Sequence, residues 1–271
     1  MNTFTLKYFG FFFLIISFFS FFSITYSYYF NLLSNLSNYI LIFVITLFLG
    51  LFFVFFKKFK FEKINLYERI ITVLLGYIIL PIAISLPYYL GIENISLINC
   101  YFESISGFTS TGFTIFENIR NIDQSLIIWR SSTQWIGGLY FLFSIIFLID
   151  IYDENFKKTL TNFISFDSSE IFKQAIKIFL LYSVLTLIIF IILNIFSIRT
   201  FDSLNLAFSL ISSGGFLPVN DLSIILKENS QVIIISLLML TSFFSIFFSY
   251  NLIFFKKRNI NFFYEDLHLI I

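Results

Sequence analysis

Six apolar runs, each about as long as a bilayer's hydrocarbon core is thick, constrain this chain more than any other feature. They lie at roughly 9–30, 39–56, 69–90, 127–149, 174–196 and 231–254. A helix needs about 20 mostly apolar residues to cross that core. Polar or charged stretches separate the runs, as at 31–38, 57–68 and 150–173. Charged residues make up 12% of the 271, against about 25% in a soluble domain. The expected fold is therefore an all-α polytopic membrane protein. The first run follows Lys7 but continues to about Phe30, with no small-residue cleavage site after it. It is expected to be a retained helix, not a signal peptide.

Lysine and arginine positions set the expected topology. With the N-terminus inside, the cytoplasmic side holds thirteen: Lys7, Lys57, Lys58, Lys60, Lys63, Arg69, Lys157, Lys158, Lys173, Lys177, Lys256, Lys257 and Arg258. The outer side holds four: Arg120, Arg130, Arg199 and Lys227. That bias favours a cytoplasmic N-terminus. The net charge of +1 offers nothing to a nucleic acid, and Cys100, the sole cysteine, excludes an internal disulfide. A buried structural thiol is its expected role.

The outer segments 91–126 and 197–230 are longer than a hairpin needs. Each holds a short, moderately apolar stretch (99–106 and 202–211) followed by a glycine-punctuated loop. The first loop reads Ser106-Gly107-Phe108-Thr109-Ser110-Thr111-Gly112-Phe113, the second Ile211-Ser212-Ser213-Gly214-Gly215-Phe216. Such backbone is tolerated at membrane depth only where it is buried in protein or faces water, so both read as re-entrant segments. A shift of 102 positions sets Gly112 against Gly214 and superimposes the flanking apolar runs. The expected organisation is two leading transmembrane helices with a basic loop (1–64), a first helix–re-entrant pore loop–helix repeat (65–152), a connector (153–170), a second repeat (171–258) and a further connector (259–271).

Two such loops suit ion selection. A dehydrated cation needs oxygens that replace its water, and backbone carbonyls of several loops around one axis supply them. Glycine adopts the backbone angles this requires, which marks Gly112 and Gly214, with Gly215 adding freedom. The hydroxyls of Thr109, Ser110, Thr111, Ser212 and Ser213 either anchor the loops or face ions. The C-terminal end of each short helix also favours a cation.

The stretch from Phe102 to Thr114 resembles the first pore loop of the Trk/Ktr/HKT potassium transporters, with the TrkH branch the nearest. Trp129-Arg130-Ser131-Ser132-Thr133-Gln134-Trp135-Ile136-Gly137-Gly138 is similar to the signature that opens the next helix there, and Ala207 to Phe216 is similar to the second pore loop. The resemblance covers roughly 65–271. It implies a potassium-uptake subunit of the inner membrane with potassium as substrate, no covalent cofactor, and a filter of four non-identical loops. Thr111, Gly112, Ser213 and Gly214 become potassium-coordinating positions, with Ser110 and Ser212 beside them. Thr109, Gly215, Arg130 and Glu103 become filter support. It further implies a dimer and a cytoplasmic nucleotide-binding regulatory subunit.

Two loops cannot close a four-sided filter within one chain. The favoured expectation is a truncated or split subunit that needs a complementary C-terminal half, and the alternative is two copies sharing one pore. A non-conducting remnant or assembly subunit is the rival function. An intramembrane enzyme is disfavoured, because the chain has one His, one Cys and no HExxH, GxSxG, P-loop or GxGxxG pattern. Glu103 reads equally as a pore-mouth cation attractor and as a hydrogen-bonded structural carboxylate. For Arg130, snorkelling to the outer interface is the plainer expectation. Asp202 is expected to cap the second short helix, Asp221 to sit in a solvated loop, and His268 to hold no metal.

Overall fold

A chain this apolar satisfies its backbone polar groups within helices, and among the described residues the computed structural model contains helices, turns and loops but no strand. The described residues are 3–55, 66–148 and 171–243. The helices are α1 (Thr3–Tyr29), α2 (Leu36–Phe55), α3 (Leu66–Gly91), α4 (Leu97–Phe108), α5 (Gln124–Leu148), α6 (Ile171–Ile195), α7 (Thr200–Ser212) and α8 (Asn229–Phe243). The basic stretch at 57–63, both expected connectors and His268 lie outside the described residues.

Four stretches are long and apolar enough to cross a membrane: Thr5–Tyr29, Leu33–Phe55, Tyr67–Gly91 and Ile176–Ile195. The run expected at 231–254 extends past the described residues, of which Asn229–Leu240 is a short apolar helix. The run expected at 127–149 differs in kind. At 25 residues α5 is long enough, spanning about 37 Å at 1.5 Å per residue. Yet its N-terminal half carries Arg130, Ser131, Ser132, Thr133 and Gln134, every one at most 1% exposed. The polarity that keeps α5 from being an apolar span faces protein, not lipid.

The order α3–α4–loop–α5 recurs as α6–α7–loop–α8. α1 lies along α2, α4 packs on α3 and α5, and α7 packs on α6 and α5. The helix α5 is therefore shared, touching both short helices. Its apolar side is aromatic: Trp135 meets the Tyr182 ring at 4.9 Å and Tyr140 meets Phe12 and Tyr77, both at 4.8 Å. Beneath α7 a second core is aliphatic, built from Ile189, Leu193, Leu206, Leu210, Ile235 and Leu238.

Large aromatics buried in this core need partners for their polar tips. Trp129 Nε1 donates to the Ile84 carbonyl at 3.0 Å, Trp135 Nε1 to Thr186 Oγ1 at 2.9 Å, and the Tyr140 hydroxyl to the Val73 carbonyl at 2.8 Å. Each bond ties α5 to a neighbouring long helix. Replacing Tyr140 with Phe removes one tie while keeping the ring packing. The expected loss is about 0.5–1.5 kcal/mol, read as a lower midpoint in thermal unfolding of the detergent-solubilised protein.

Candidate functional site

Each short helix ends in the same hydrogen-bonded turn. After α4, Ser110 N–H donates to the Gly107 carbonyl at 3.0 Å and Thr111 N–H to the Ser106 carbonyl at 2.9 Å. After α7, Ser213 N–H donates to Leu210 at 3.1 Å and Gly214 N–H to Ser209 at 2.9 Å. This pair of bonds defines a Schellman motif, which requires a left-handed residue after the cap. That residue is usually glycine; here it is Ser110 and Ser213, both with φ of 53°. Two residues further on, Gly112 (φ 80°) and Gly215 (φ 77°) also adopt positive φ.

These matches correct the register of the repeat. The sequence shift of 102 pairs Gly112 with Gly214, whereas the backbone pairs Gly112 with Gly215, Thr111 with Gly214 and Ser110 with Ser213, a shift of 103. Identity of residue type misled the comparison, because the position two beyond the left-handed serine is the one that needs glycine. The helices also begin earlier than expected, at Leu97 and Thr200. Ser96 caps the first by accepting from Asn99 N–H at 3.2 Å. The cap position of the second is Arg199, without a side-chain hydrogen bond, and Asp202 falls inside its first turn. There it complements the helix dipole instead of capping.

The two loops meet. A Cβ on Gly112 would lie 2.6 Å from the carbonyl oxygen of Gly214, closer than real Cβ atoms come to backbone. Behind Gly214 stands the Gln134 carboxamide, whose Oε1 accepts from Phe216 N–H at 3.3 Å. α5 reaches this position because Gly137 lies against the Phe108 carbonyl, where any side chain would collide with backbone. Among the described residues, the carbonyls of Thr109, Ser110, Thr111 and Gly112, and those of Ser212, Ser213, Gly214 and Gly215, accept no hydrogen bond. Thr109, Thr111, Ser213 and Gly215 are exposed, and Ser110 and Gly112 half-buried, so these two abutting loops gather backbone acceptors that are open to water or to a ligand.

Behind the loops lies a buried ion pair. Arg130 Nε donates to Glu103 Oε1 at 2.8 Å, with Arg130 at 1% exposure and Glu103 at 0%. The expected snorkelling of Arg130 is overturned: its guanidinium turns inward, where the buried Glu103 carboxylate supplies a counter-charge. Both oxygens of Glu103 accept from Thr114 Oγ1 at 3.0 Å, and one also from Ile115 N–H at 3.0 Å. With its acceptors occupied and its charge paired, Glu103 is the hydrogen-bonded structural carboxylate of the two readings. Arg130 also donates to Thr114 Oγ1 at 3.1 Å and to the Leu217 carbonyl at 3.3 Å, and it lies 4.2 Å over the Phe216 ring. Phe216 and Leu217 leave the second loop; Thr114 leaves the first.

No family model matches the chain. An uncharacterized cation transporter of Methanocaldococcus jannaschii is 26% identical over 205 residues, 70% of this chain and 41% of that protein. The Trk system potassium uptake protein TrkH of Halomonas elongata is 26% identical over 192 residues, 67% of this chain and 39% of that protein. The crystal structure of the potassium transporter TrkH from Vibrio parahaemolyticus shares the fold with a TM-score of 0.68 at 22% identity, covering 89% of this chain and 50% of that one. The chain thus has the fold of TrkH, and the curated proteins it resembles are a cation transporter and Trk-type potassium uptake proteins. It is an integral membrane protein, and it spans about half the length of the relatives it matches.

In this TrkH-like chain the expected filter residues form one neighbourhood. Ser110, Thr111 and Gly112 turn past Ser213 and Gly214, and the Thr109 hydroxyl reaches the Thr111 hydroxyl at 2.7 Å. Ser212 instead bonds back to the Phe208 carbonyl at 2.8 Å, so its hydroxyl is spent inside α7. Cys100 is free and buried, as expected. Sequence reasoning assigned no role to Gln134, Thr114 or Asn220. Gln134 lay within a quoted motif, which was a signal. Asn220, which accepts from Ile119 N–H at 2.7 Å and donates to the Glu117 carbonyl at 3.3 Å, had none. The neighbouring Asp221 accepts from Ser223 N–H at 2.9 Å. Hydrogen bonds from Ser223 lower its carboxyl below the usual carboxylate range. The turn therefore keeps this contact at neutral pH and loses it only as the pH falls through that lowered value.

Replacing Arg130 with Met leaves Glu103 buried without its counter-charge, an expected loss of about 3–5 kcal/mol. Adding Glu103→Gln removes the stranded charge and is expected to recover part of it. Unfolding midpoints of the two single variants and the double variant in nanodiscs measure the coupling.

Proposed function

We propose that the chain forms part of a potassium-selective pathway through the cytoplasmic membrane, with its two glycine loops supplying backbone carbonyls to the ion. The observation that carries this reading is the abutting pair of Schellman turns, whose eight loop carbonyls accept no hydrogen bond among the described residues. Carbonyl oxygens in such loops replace a cation's hydration shell. The C-terminal ends of α4 and α7 add partial negative charge, so no exposed carboxylate ring is required. Thr111, Gly112, Ser213 and Gly214 are the proposed coordinating positions, and Gly215 shares the backbone role of Gly112.

Two loops supply two sides of a ring. The remaining sides come from further loops, carried either by a complementary half or by a second copy of the chain. The N-terminus is cytoplasmic on the charge bias, which sets both loops toward the outside. A cytoplasmic nucleotide-binding subunit is the proposed regulator, on family likeness alone. A non-conducting assembly subunit is the second reading, favoured by the two-sided arrangement of the loops.

Growth of a potassium-uptake-deficient bacterium on limiting potassium separates these readings. The chain is expressed alone and together with the C-terminal half of a TrkH protein, with membrane insertion verified. Rescue is expected with the second half, and Gly112→Asp is expected to abolish it, because both its φ and the adjacent Gly214 carbonyl forbid a side chain. Rescue by the chain alone means that copies complete the ring. If neither arrangement rescues, transport by this chain is refuted and the assembly reading stands.

A further inference from the structure

Carbonyl coordination discriminates between cations only if the spacing of the loops is held. Whether selectivity comes from cavity size or from the field of the carbonyl dipoles, it depends on geometry kept to about half an ångström. The loops themselves are poor keepers of that spacing, since no hydrogen bond joins residues 109–112 to residues 212–215. The contacts that link one loop to the other lie behind them and beyond them.

One guanidinium provides the deeper link. Its Nε binds Glu103 on α4 at 2.8 Å, and Nη2 binds Thr114, just past the first loop, at 3.1 Å. The remaining nitrogen binds the Leu217 carbonyl, just past the second loop, at 3.3 Å, while the Phe216 ring lies beneath the plane at 4.2 Å. Arginine suits this position because its fork is planar, carries five donors and stays charged. At the protein surface a neutral amide provides the second link. Asn220, three residues beyond Leu217, spans to Ile119 N–H at 2.7 Å and to the Glu117 carbonyl at 3.3 Å. The exits of the two loops are thus fastened at two depths, with one fastener drawn from each repeat.

We infer that Arg130 and Asn220 are positioning residues that fix the separation of the two glycine loops and thereby set cation discrimination. Neither touches the proposed ion path. The inference rests on the transport reading for its selectivity consequence, but the separation is measurable without transport. The Glu103 charge is cancelled within the pair, so it acts on the ion only through loop position.

The test uses the full chain in nanodiscs with spin labels at Phe113→Cys and Ile224→Cys, exposed positions beyond the first and second loops, in a Cys100→Ser background. Pulsed electron resonance then reads the distance across the loops. The parent is expected to give one narrow distribution, broadened by Arg130→Gln and by Asn220→Ala. Arg130→Lys keeps the charge beside Glu103 but loses the fork, so it is expected to retain the parent's helix content and still broaden the distribution. Unchanged distributions in folded Arg130→Lys and Asn220→Ala proteins overturn the inference. Should Arg130→Gln fail to fold, the exposed Asn220 variant still decides. In parallel, potassium and sodium uptake is compared in the transport-competent arrangement. The preference for potassium is expected to fall roughly tenfold in Arg130→Lys, the scale of one lost charge-assisted hydrogen bond. A parent without potassium preference defeats the transport reading and leaves the distance result intact. A broadened distance with unaltered preference overturns the claim on discrimination.

Discussion

A charge buried in a protein interior has to be neutralised there, and in this structure one such neutralisation organises the surroundings of both loops. Glu103 and Arg130 lie at 0% and 1% exposure, where an isolated carboxylate or guanidinium would be prohibitively costly. Each must therefore find the other and satisfy its remaining hydrogen-bonding capacity locally. Glu103 draws in Thr114 and Ile115 from the exit of the first loop; Arg130 draws in Leu217 and Phe216 from the exit of the second. The electrostatic demand of one pair thus becomes a geometric link between the exits of the two loops.

The same demand explains the character of α5. Its run from Arg130 to Gln134 would be intolerable against lipid, and each member is turned toward a protein partner or backbone. Ser131 donates to Asn205 on α7 at 2.7 Å, and Gln134 accepts from Phe216 beyond the second loop. Aromatic and aliphatic packing within the larger core holds the other sides of α5. The helix reads as an imperfect span because it is the internal post on which both short helices rest. At their far ends the two Schellman turns close the helices and leave the Gly214 carbonyl against the Gly112 backbone. The turn consumes the last free groups of the helix proper and leaves those of the loop uncommitted, an arrangement suited to carbonyl coordination.

Much of this was legible beforehand. The apolar runs, the two short helices, the glycine-punctuated loop after each and the recurrence of that order follow from hydropathy and glycine placement. The register of the repeat did not. Aligning glycine on glycine pairs Gly112 with Gly214, but the backbone pairs it with Gly215, because a serine occupies the left-handed position that glycine ordinarily marks. Arg130 was misjudged for a related reason. Position along a helix suggests which end a side chain is near, but not whether a partner waits inside. Asp202 likewise sits within its helix and not at the cap.

The sequence by itself determined what the bilayer enforces locally: helices of spanning length, breaks where charge accumulates, and turns where glycine and hydroxyl residues interrupt apolar runs. These follow from each segment's own solvation and need no knowledge of its neighbours. Only the tertiary structure decided which buried polar groups meet. The pairing of Arg130 with Glu103, the approach of the Gly214 carbonyl to Gly112 and the reach of Asn220 to Ile119 join residues far apart in the chain. Such contacts depend on how helices cross, and hydropathy is silent on that because every apolar face is equally content against lipid or protein.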